Sequence, residues 1–126
     1  MPYEISWEPS GVVQRYSGVV SDEDVIAANR EVYANPLLPA MKYQIVDFSL
    51  VEKIDVSSAT ARAVADSDRR VAETNPDVKA AIITSTPFVR GMSNLYATTH
   101  EVRGGSWTTK IFEREEDARA WAVSSS

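Results

Sequence analysis

The sequence has no cysteine, a single histidine and five scattered glycines. Without cysteine the chain can form neither a disulfide nor a thiolate metal site, and it has no cysteine nucleophile. One histidine leaves only carboxylates as further metal ligands, so we expect no metal site. Because the glycines form neither G-x-x-x-x-G-K nor G-x-G-x-x-G, the sequence has no phosphate-binding loop, and we expect no cofactor.

Clusters of basic residues, a leader segment and long apolar runs are also missing. The chain has 13 Lys and Arg against 18 Asp and Glu, a net charge of −5. This balance excludes a nucleic-acid partner and disfavours an anionic membrane surface. The first residues, MPYEISWEPSG, lack the basic and apolar regions of a signal peptide. No apolar run approaches the ~20 residues that span a bilayer. We therefore expect a cytoplasmic protein without a transmembrane segment.

The composition that remains is that of an ordinary globular domain. The chain has 126 residues, of which 44% are hydrophobic and 25% charged. That length is close to the commonest domain size, and the apolar content is enough for a core. We expect one domain over residues 1–123, followed by a frayed tail over residues 124–126.

The segment 43–72 organises the prediction of the fold. Its first part, YQIVDFSL, is too apolar for a strand with one solvated face, so it predicts a strand inside a sheet. Ser57 and Ser58 then open a long helix that ends near residue 73. A strand, a polar turn and a serine-capped helix are typical of the βα half of a parallel-sheet unit.

Local patterns predict the other elements. Residues 3–8 alternate and residues 12–20, VVQRYSGVV, resume as a second strand, so the turn Pro9-Ser10-Gly11 between them predicts a β-hairpin, with a bulge or a close backbone approach at Gly18. The remaining predictions are helices over 21–34, from 86 onward and over 113–123, and strands over 78–85 and 107–112. The order ββαβαβαβα predicts an α/β domain with about five mostly parallel strands and four helices.

Two short segments resemble a known family. Residues 54–59, Ile-Asp-Val-Ser-Ser-Ala, are similar to an Asp-Ser-Ser-Gly motif, and residues 110–121 resemble a terminus in which a strand closes on Phe before an acidic Ala-x-x-Trp helix. With the element order, they make the chain resemble the STAS domain of anti-sigma-factor antagonists, in its SpoIIAA-like, SEC14-related group of small bacterial proteins. Here Val56 separates the aspartate from the serines, and Ala59 replaces the glycine.

The resemblance implies a regulatory domain that binds a protein partner and whose motif serine is phosphorylated by a kinase. We therefore consider Asp55, Ser57 and Ser58 as a phosphorylation or partner-contact site. The favoured interpretation from the residues alone is that one serine caps the helix. The two interpretations are compatible, because the start of a helix also tolerates a phosphate.

Apolar residues on the second and third helices allow two interpretations. They are either core, as apolar helical stripes usually are, or the lining of a pocket. The residues considered for a pocket of a few hundred Å³ are Ala61, Val64, Phe88, Met92 and Tyr96. The SEC14-related group implies an apolar, lipid-like ligand for such a pocket.

Charged residues of the second helix, Arg62, Asp66, Asp68, Arg69 and Arg70, are predicted to form a solvated face. Asp47 lies within an apolar strand, where an unpaired buried carboxylate is costly. It is therefore either paired near the strand end, the favoured interpretation, or part of a site at the carboxyl edge of the sheet. His100 is expected at the surface near the end of its helix. A serine hydrolase would combine Ser57 or Ser58 with His100 and Asp47 or Asp55, but no G-x-S-x-G motif surrounds either serine.

The leading hypothesis from the sequence is a non-enzymatic, cytoplasmic STAS-like domain that binds a protein near the start of the second helix. The first alternative is a carrier or sensor of a small apolar ligand between the second and third helices. A serine hydrolase is a distant third hypothesis. A homo-oligomer is compatible with the sequence.

Overall fold

The predicted order of strands and helices is confirmed by a computed structural model, which describes residues 2–124. The strands are β1 (Tyr3–Glu8), β2 (Gly11–Ser21), β3 (Tyr43–Asp55), β4 (Lys79–Ile83) and β5 (Thr108–Phe112). The helices are α1 (Asp22–Tyr33), α2 (Ser58–Ala72), α3 (Pro87–Val102) and α4 (Glu115–Ala122), with a short 3-10 turn at Leu38–Ala40. Of the predicted tail, residues 125 and 126 lie outside the described residues.

The five strands form one sheet in the order β1-β2-β3-β4-β5. β1 and β2 pair antiparallel across the two-residue turn at Pro9 and Ser10, and every other pair is parallel. β3 is therefore the central strand, as its two-sided apolar pattern predicted. The bulge is also confirmed, since the register with β3 shifts at Gly18, whose φ of 67° is disfavoured for residues with a Cβ.

β3 is longer than the sequence predicted, and this shapes one end of the molecule. Its pairing with β4 stops at Asp47, whereas its pairing with β2 continues to Asp55. The end of β3 and the end of β2 therefore project together beyond β4 as a two-stranded extension. α2 begins directly after this extension.

Side-chain caps fix the starts of two helices. The Ser21 hydroxyl accepts from the Asp24 N–H at 3.3 Å, and the Asp24 carboxylate accepts from the Ser21 N–H at 2.9 Å. The two bonds form a capping box at the start of α1. At α2 the Ser57 hydroxyl accepts from the Thr60 N–H at 3.3 Å, which confirms that a serine caps this helix.

The two faces of the sheet are covered differently. Successive strand residues point to opposite faces, so Val12 packs with Val32 of α1 and Ala72 of α2, whereas Val13 packs with Ala118 and Ala122 of α4. Three helices, α1 to α3, cover one face, and α4 alone covers the other. No helix within residues 2–124 is both long enough and apolar enough to cross a bilayer.

Candidate functional site

The structure brings together the three residues predicted as a phosphorylation or partner-contact site. Asp55 ends β3, and Ser57 and Ser58 start α2; all three are exposed or nearly so. The Ser57 N–H donates to Asp22 Oδ1 at 2.7 Å, and its hydroxyl lies 3.3 Å from the same oxygen. Hydrogen bonds from the Ser57 N–H and then from the Thr60 hydroxyl lower the pKa of Asp22. A carboxylate thus already sits at the positive end of α2.

The two serines differ in what their hydroxyls do. Ser57 uses its hydroxyl for the helix cap and for the contact with Asp22. Ser58, the first residue of α2, is exposed, and its hydroxyl has no hydrogen-bond partner within residues 2–124. The hydroxyl that is free to react at this site therefore belongs to Ser58.

Exposed apolar side chains lie at the same end of the sheet, where β2 and β3 finish and α2 begins. Val19 and Leu50, on the β2–β3 extension, are 58% and 68% exposed. Phe88, in the first turn of α3, is 53% exposed, so its predicted place in a pocket is wrong. The inward stripe of α3 is instead Val89, Met92, Ser93 and Tyr96, at the spacing i, i+3, i+4, i+7. Phe88 lies beside that stripe rather than within it.

An apolar cavity of about 100 Å³ lies between the sheet and helices α1 to α3 and is partly open to solvent. Four of the five residues predicted for a pocket line it, namely Ala61, Val64, Met92 and Tyr96. The prediction missed the contributions of the strands and of α1: Gln14, Tyr16, Val25, Asn29, Gln44, Val46, Phe48, Ile54, Ala80 and Ile82. The cavity is smaller than a drug-sized ligand pocket of roughly 300–1,000 Å³.

Asp68 lines this cavity and does not belong to a solvated face, which corrects the prediction from charge alternation. It is 1% exposed and accepts hydrogen bonds from the hydroxyls of Tyr33 and of Tyr96, the latter at 2.6 Å. Burial raises its pKa to about 6, although both tyrosine bonds act in the opposite direction. One signal for burial was present in the sequence, since Asp68 follows Ala61 and Ala65 and precedes Ala72 at helical spacing.

His100 is buried and not at the surface, as the sequence had suggested. Its Nδ1 lies 3.2 Å from the Ala65 carbonyl oxygen, and the Trp107 N–H donates to its Nε2 at 3.1 Å. This arrangement requires a proton on Nδ1. Gly105 passes so close that a Cβ there would lie 2.1 Å from Nε2. Because both ring nitrogens bind backbone groups, His100 is not available as a base for Ser57 or Ser58. The hydrolase arrangement considered as a distant alternative is therefore not formed among residues 2–124.

Asp47 has the partner that the sequence required. It lies 3.1 Å from Arg15, which also contacts Glu115 of α4 at 2.6 Å, and it accepts from the Ser49 N–H at 2.8 Å. These contacts lie on the α4 face of the sheet. Asp47 is thus part of the packing of α4 and not of the site at the start of α2.

Neither a protein-family model nor a curated protein matches this chain. Solved structures do match. Phosphorylated SpoIIAA of Bacillus is 14% identical, with a TM-score of 0.60 over 94% of this chain and 97% of the other. Unphosphorylated SpoIIAA, an anti-sigma factor antagonist, is 15% identical, with a TM-score of 0.59 over 96% and 99%.

A third match is a DUF3478-family protein from Shewanella loihica, described as having a SpoIIAA-like fold. It is 14% identical, with a TM-score of 0.59 over 96% of this chain and 92% of that one. Such low identities establish a shared fold and carry no residue's role from one protein to another. The chain has the SpoIIAA-like α/β fold that its element order predicted.

Proposed function

We propose that this chain is a non-enzymatic regulatory domain that binds a protein partner at the start of α2. The observation that carries the proposal is the pair of serines at this edge, one committed to the helix cap and the other free. The likeness in fold to an anti-sigma factor antagonist that is solved with and without phosphate supports it. The exposed apolar residues Val19 and Leu50 supply contact area beside the serines.

Phosphorylation of Ser58 is the regulation we propose for this surface. A phosphate would add about −1.5 to −2 charges at the first residue of α2. Asp22 already accepts the Ser57 N–H there, and Asp55 ends the preceding strand, so the new charge would repel both carboxylates. The cap would remain, because it uses Ser57. The modification would therefore change the charge of the surface without unfolding the helix.

The test begins with a photo-crosslinking residue at Leu50 in cells that express the chain, with the exposed Val102, at the far end of α3, as the control position. We expect a partner to be captured from position 50 and not from position 102. With that partner purified, Ser58→Glu is expected to weaken binding at least about tenfold, a loss of about 1.4 kcal/mol. Ser58→Ala and the control Thr98→Glu should bind within about twofold of the wild type. Unchanged binding by Ser58→Glu would overturn the proposal.

The cavity supports a second function, the binding of a small apolar ligand between the sheet, α2 and α3. Its test uses xenon, which enters dry apolar cavities. Xenon should shift the NMR signals of the methyl groups of Val46 and Ile82, which line the cavity. Ala61→Leu should abolish these shifts by filling the cavity, whereas Ala63→Leu, exposed on the same helix, should retain them. Equal shifts in the two variants would exclude this function.

A further inference from the structure

We infer that the cavity takes a small neutral molecule with an apolar body and an amide-like head group, which accepts a hydrogen bond from Gln44 and donates one to Asn29. This inference rests on the second function proposed above and names its ligand class. It differs from the lipid-like ligand that the sequence suggested.

The polar groups in the cavity wall determine the head group. Gln44 is 5% exposed, and its Oε1 accepts from Gln14 Nε2 at 3.3 Å, while its Nε2 has no partner within residues 2–124. Asn29 is 8% exposed, and its Nδ2 donates to the Val25 carbonyl at 2.9 Å, while its Oδ1 has no partner among the same residues. Both residues line the cavity. The wall thus offers one free donor and one free acceptor.

These two atoms stand out against the rest of the interior. Every fully enclosed side-chain nitrogen or oxygen in the described part of the chain has a hydrogen-bond partner. Within the cavity, Tyr16 donates to Gln14 at 2.8 Å, Ser93 donates to the Val89 carbonyl at 2.8 Å, and Asp68 accepts from two tyrosines. The two free amide atoms are therefore accessible to a molecule in the cavity, and they can bind water or a ligand with matching groups.

The charge of the wall excludes an anionic ligand. No Lys, Arg or His lines the cavity, and Asp68 is its only carboxyl group. A fatty-acid carboxylate would find no cation and would lie near a second acid, so its desolvation would not be compensated. An ammonium group is also disfavoured, since it has only donors and would leave the free Gln44 Nε2 donor without an acceptor. The available donor and acceptor suit a neutral amide.

The volume limits the ligand further. A dry apolar cavity of about 150 Å³ holds benzene. The cavity here, of about 100 Å³, therefore encloses about four heavy atoms, and because it is partly open to solvent a slightly larger ligand can reach its mouth. Isobutyramide is such a ligand, and isobutyrate and isobutylamine share its carbon skeleton while presenting an anion and a cation. Because the three compounds have the same apolar part, any difference in their affinities reports on the head group.

The experiment follows the side-chain amide signals of Gln44 and Asn29 by NMR during titration at neutral pH. Isobutyramide should shift both signals saturably at millimolar concentration, as expected for so few atoms. Isobutyrate and isobutylamine should bind at least about tenfold more weakly. Gln44→Met removes the donor at similar volume and should weaken isobutyramide binding by about the same factor. Ala63→Leu should leave the affinity for isobutyramide unchanged.

The outcomes distinguish this inference from the function on which it rests. Loss of xenon binding in the wild type would remove the ligand-binding function itself. Normal xenon binding with isobutyrate or isobutylamine as tight as isobutyramide would overturn the neutral-amide inference alone. So would an isobutyramide affinity that Gln44→Met leaves unchanged, which would mean that Gln44 does not recognise the head group.

Discussion

The two faces of the sheet are packed in opposite ways. On the α4 face, Val13, Ile45 and Ile83 are almost completely buried against the alanines of a single short helix. On the other face, three helices enclose a cavity beside Ala61 and Ala80. On that face the small side chains of Ala61 on α2 and Ala80 on β4 leave space unfilled, although three helices cover it.

The acids on the two faces differ as well. On the α4 face, Arg119 binds both oxygens of Glu8 at 2.9 and 3.0 Å, and hydrogen bonds to Arg119 and Tyr43 lower the pKa of Glu8. On the cavity face, Asp68 has tyrosine hydroxyls but no cation, and burial raises its pKa to about 6. Pairing with an arginine thus lowers the pKa of the acid on one face, whereas burial without a cation raises the pKa of the acid on the other.

The largest expected difference is between two neighbouring isoleucines of β4. Ile83→Ala, on the α4 face, should cost toward the upper end of the range of about 2–5 kcal/mol for such truncations. Ile82→Ala, which enlarges an existing cavity, should cost about 2 kcal/mol or less, because the removed methyl groups already face empty space. Urea denaturation of both variants measures the difference. Equal losses would contradict the view that the two faces are packed differently.

The next expected effect concerns the pH dependence of stability. The folded pKa of Asp68, about 6, lies above the unfolded value of about 4. Its contribution to stability is therefore complete below about pH 4, is lost as pH rises to about 6, and is constant above that. Two pKa units correspond to about 3 kcal/mol.

Asp68→Asn removes this titration and keeps groups that can bind both tyrosines. The free energy of unfolding of the wild type relative to this variant should fall by about 2 kcal/mol between pH 4 and pH 6.5, most of the full difference. Urea midpoints across that range provide the measurement, and the comparison cancels the titration of the other carboxylates. A difference that is independent of pH would mean that the pKa of Asp68 is the same in the folded and unfolded states.

The smallest expected effect comes from the ion pairs around α4. Glu8 has a lowered pKa, so its contribution is present above the unfolded pKa of about 4.3 and is lost as pH falls through the folded value. Glu8→Gln should cost about 1 kcal/mol at neutral pH and less at high salt. Glu4→Gln, on the same strand and without an ion pair in the described part of the chain, should cost almost nothing. A salt-independent loss at Glu8 would point to lost packing instead.

Much of the fold was predictable because its signals are local. The hairpin, the bulge at Gly18, the capping box at Ser21 and the serine cap of α2 each depend on residues within a few positions of one another. The sequence also identified Asp55, Ser57 and Ser58 as neighbours at a strand-to-helix junction. It did not identify which serine is free, because the contact that engages Ser57 comes from Asp22, 35 residues earlier.

The sequence by itself determined the order of elements, the interior position of β3 and the starts of the helices. Apolar periodicity and helix caps each depend on residues only a few positions apart. Only the tertiary structure decided which side chains face inward. Phe88 turned outward, while Asp68 and His100 turned inward to partners 28 to 35 residues away, Tyr96, Tyr33 and the Ala65 carbonyl. The rotation of a helix about its axis is fixed by what it packs against, and a single charged residue gives no local sign that a distant hydroxyl will satisfy it.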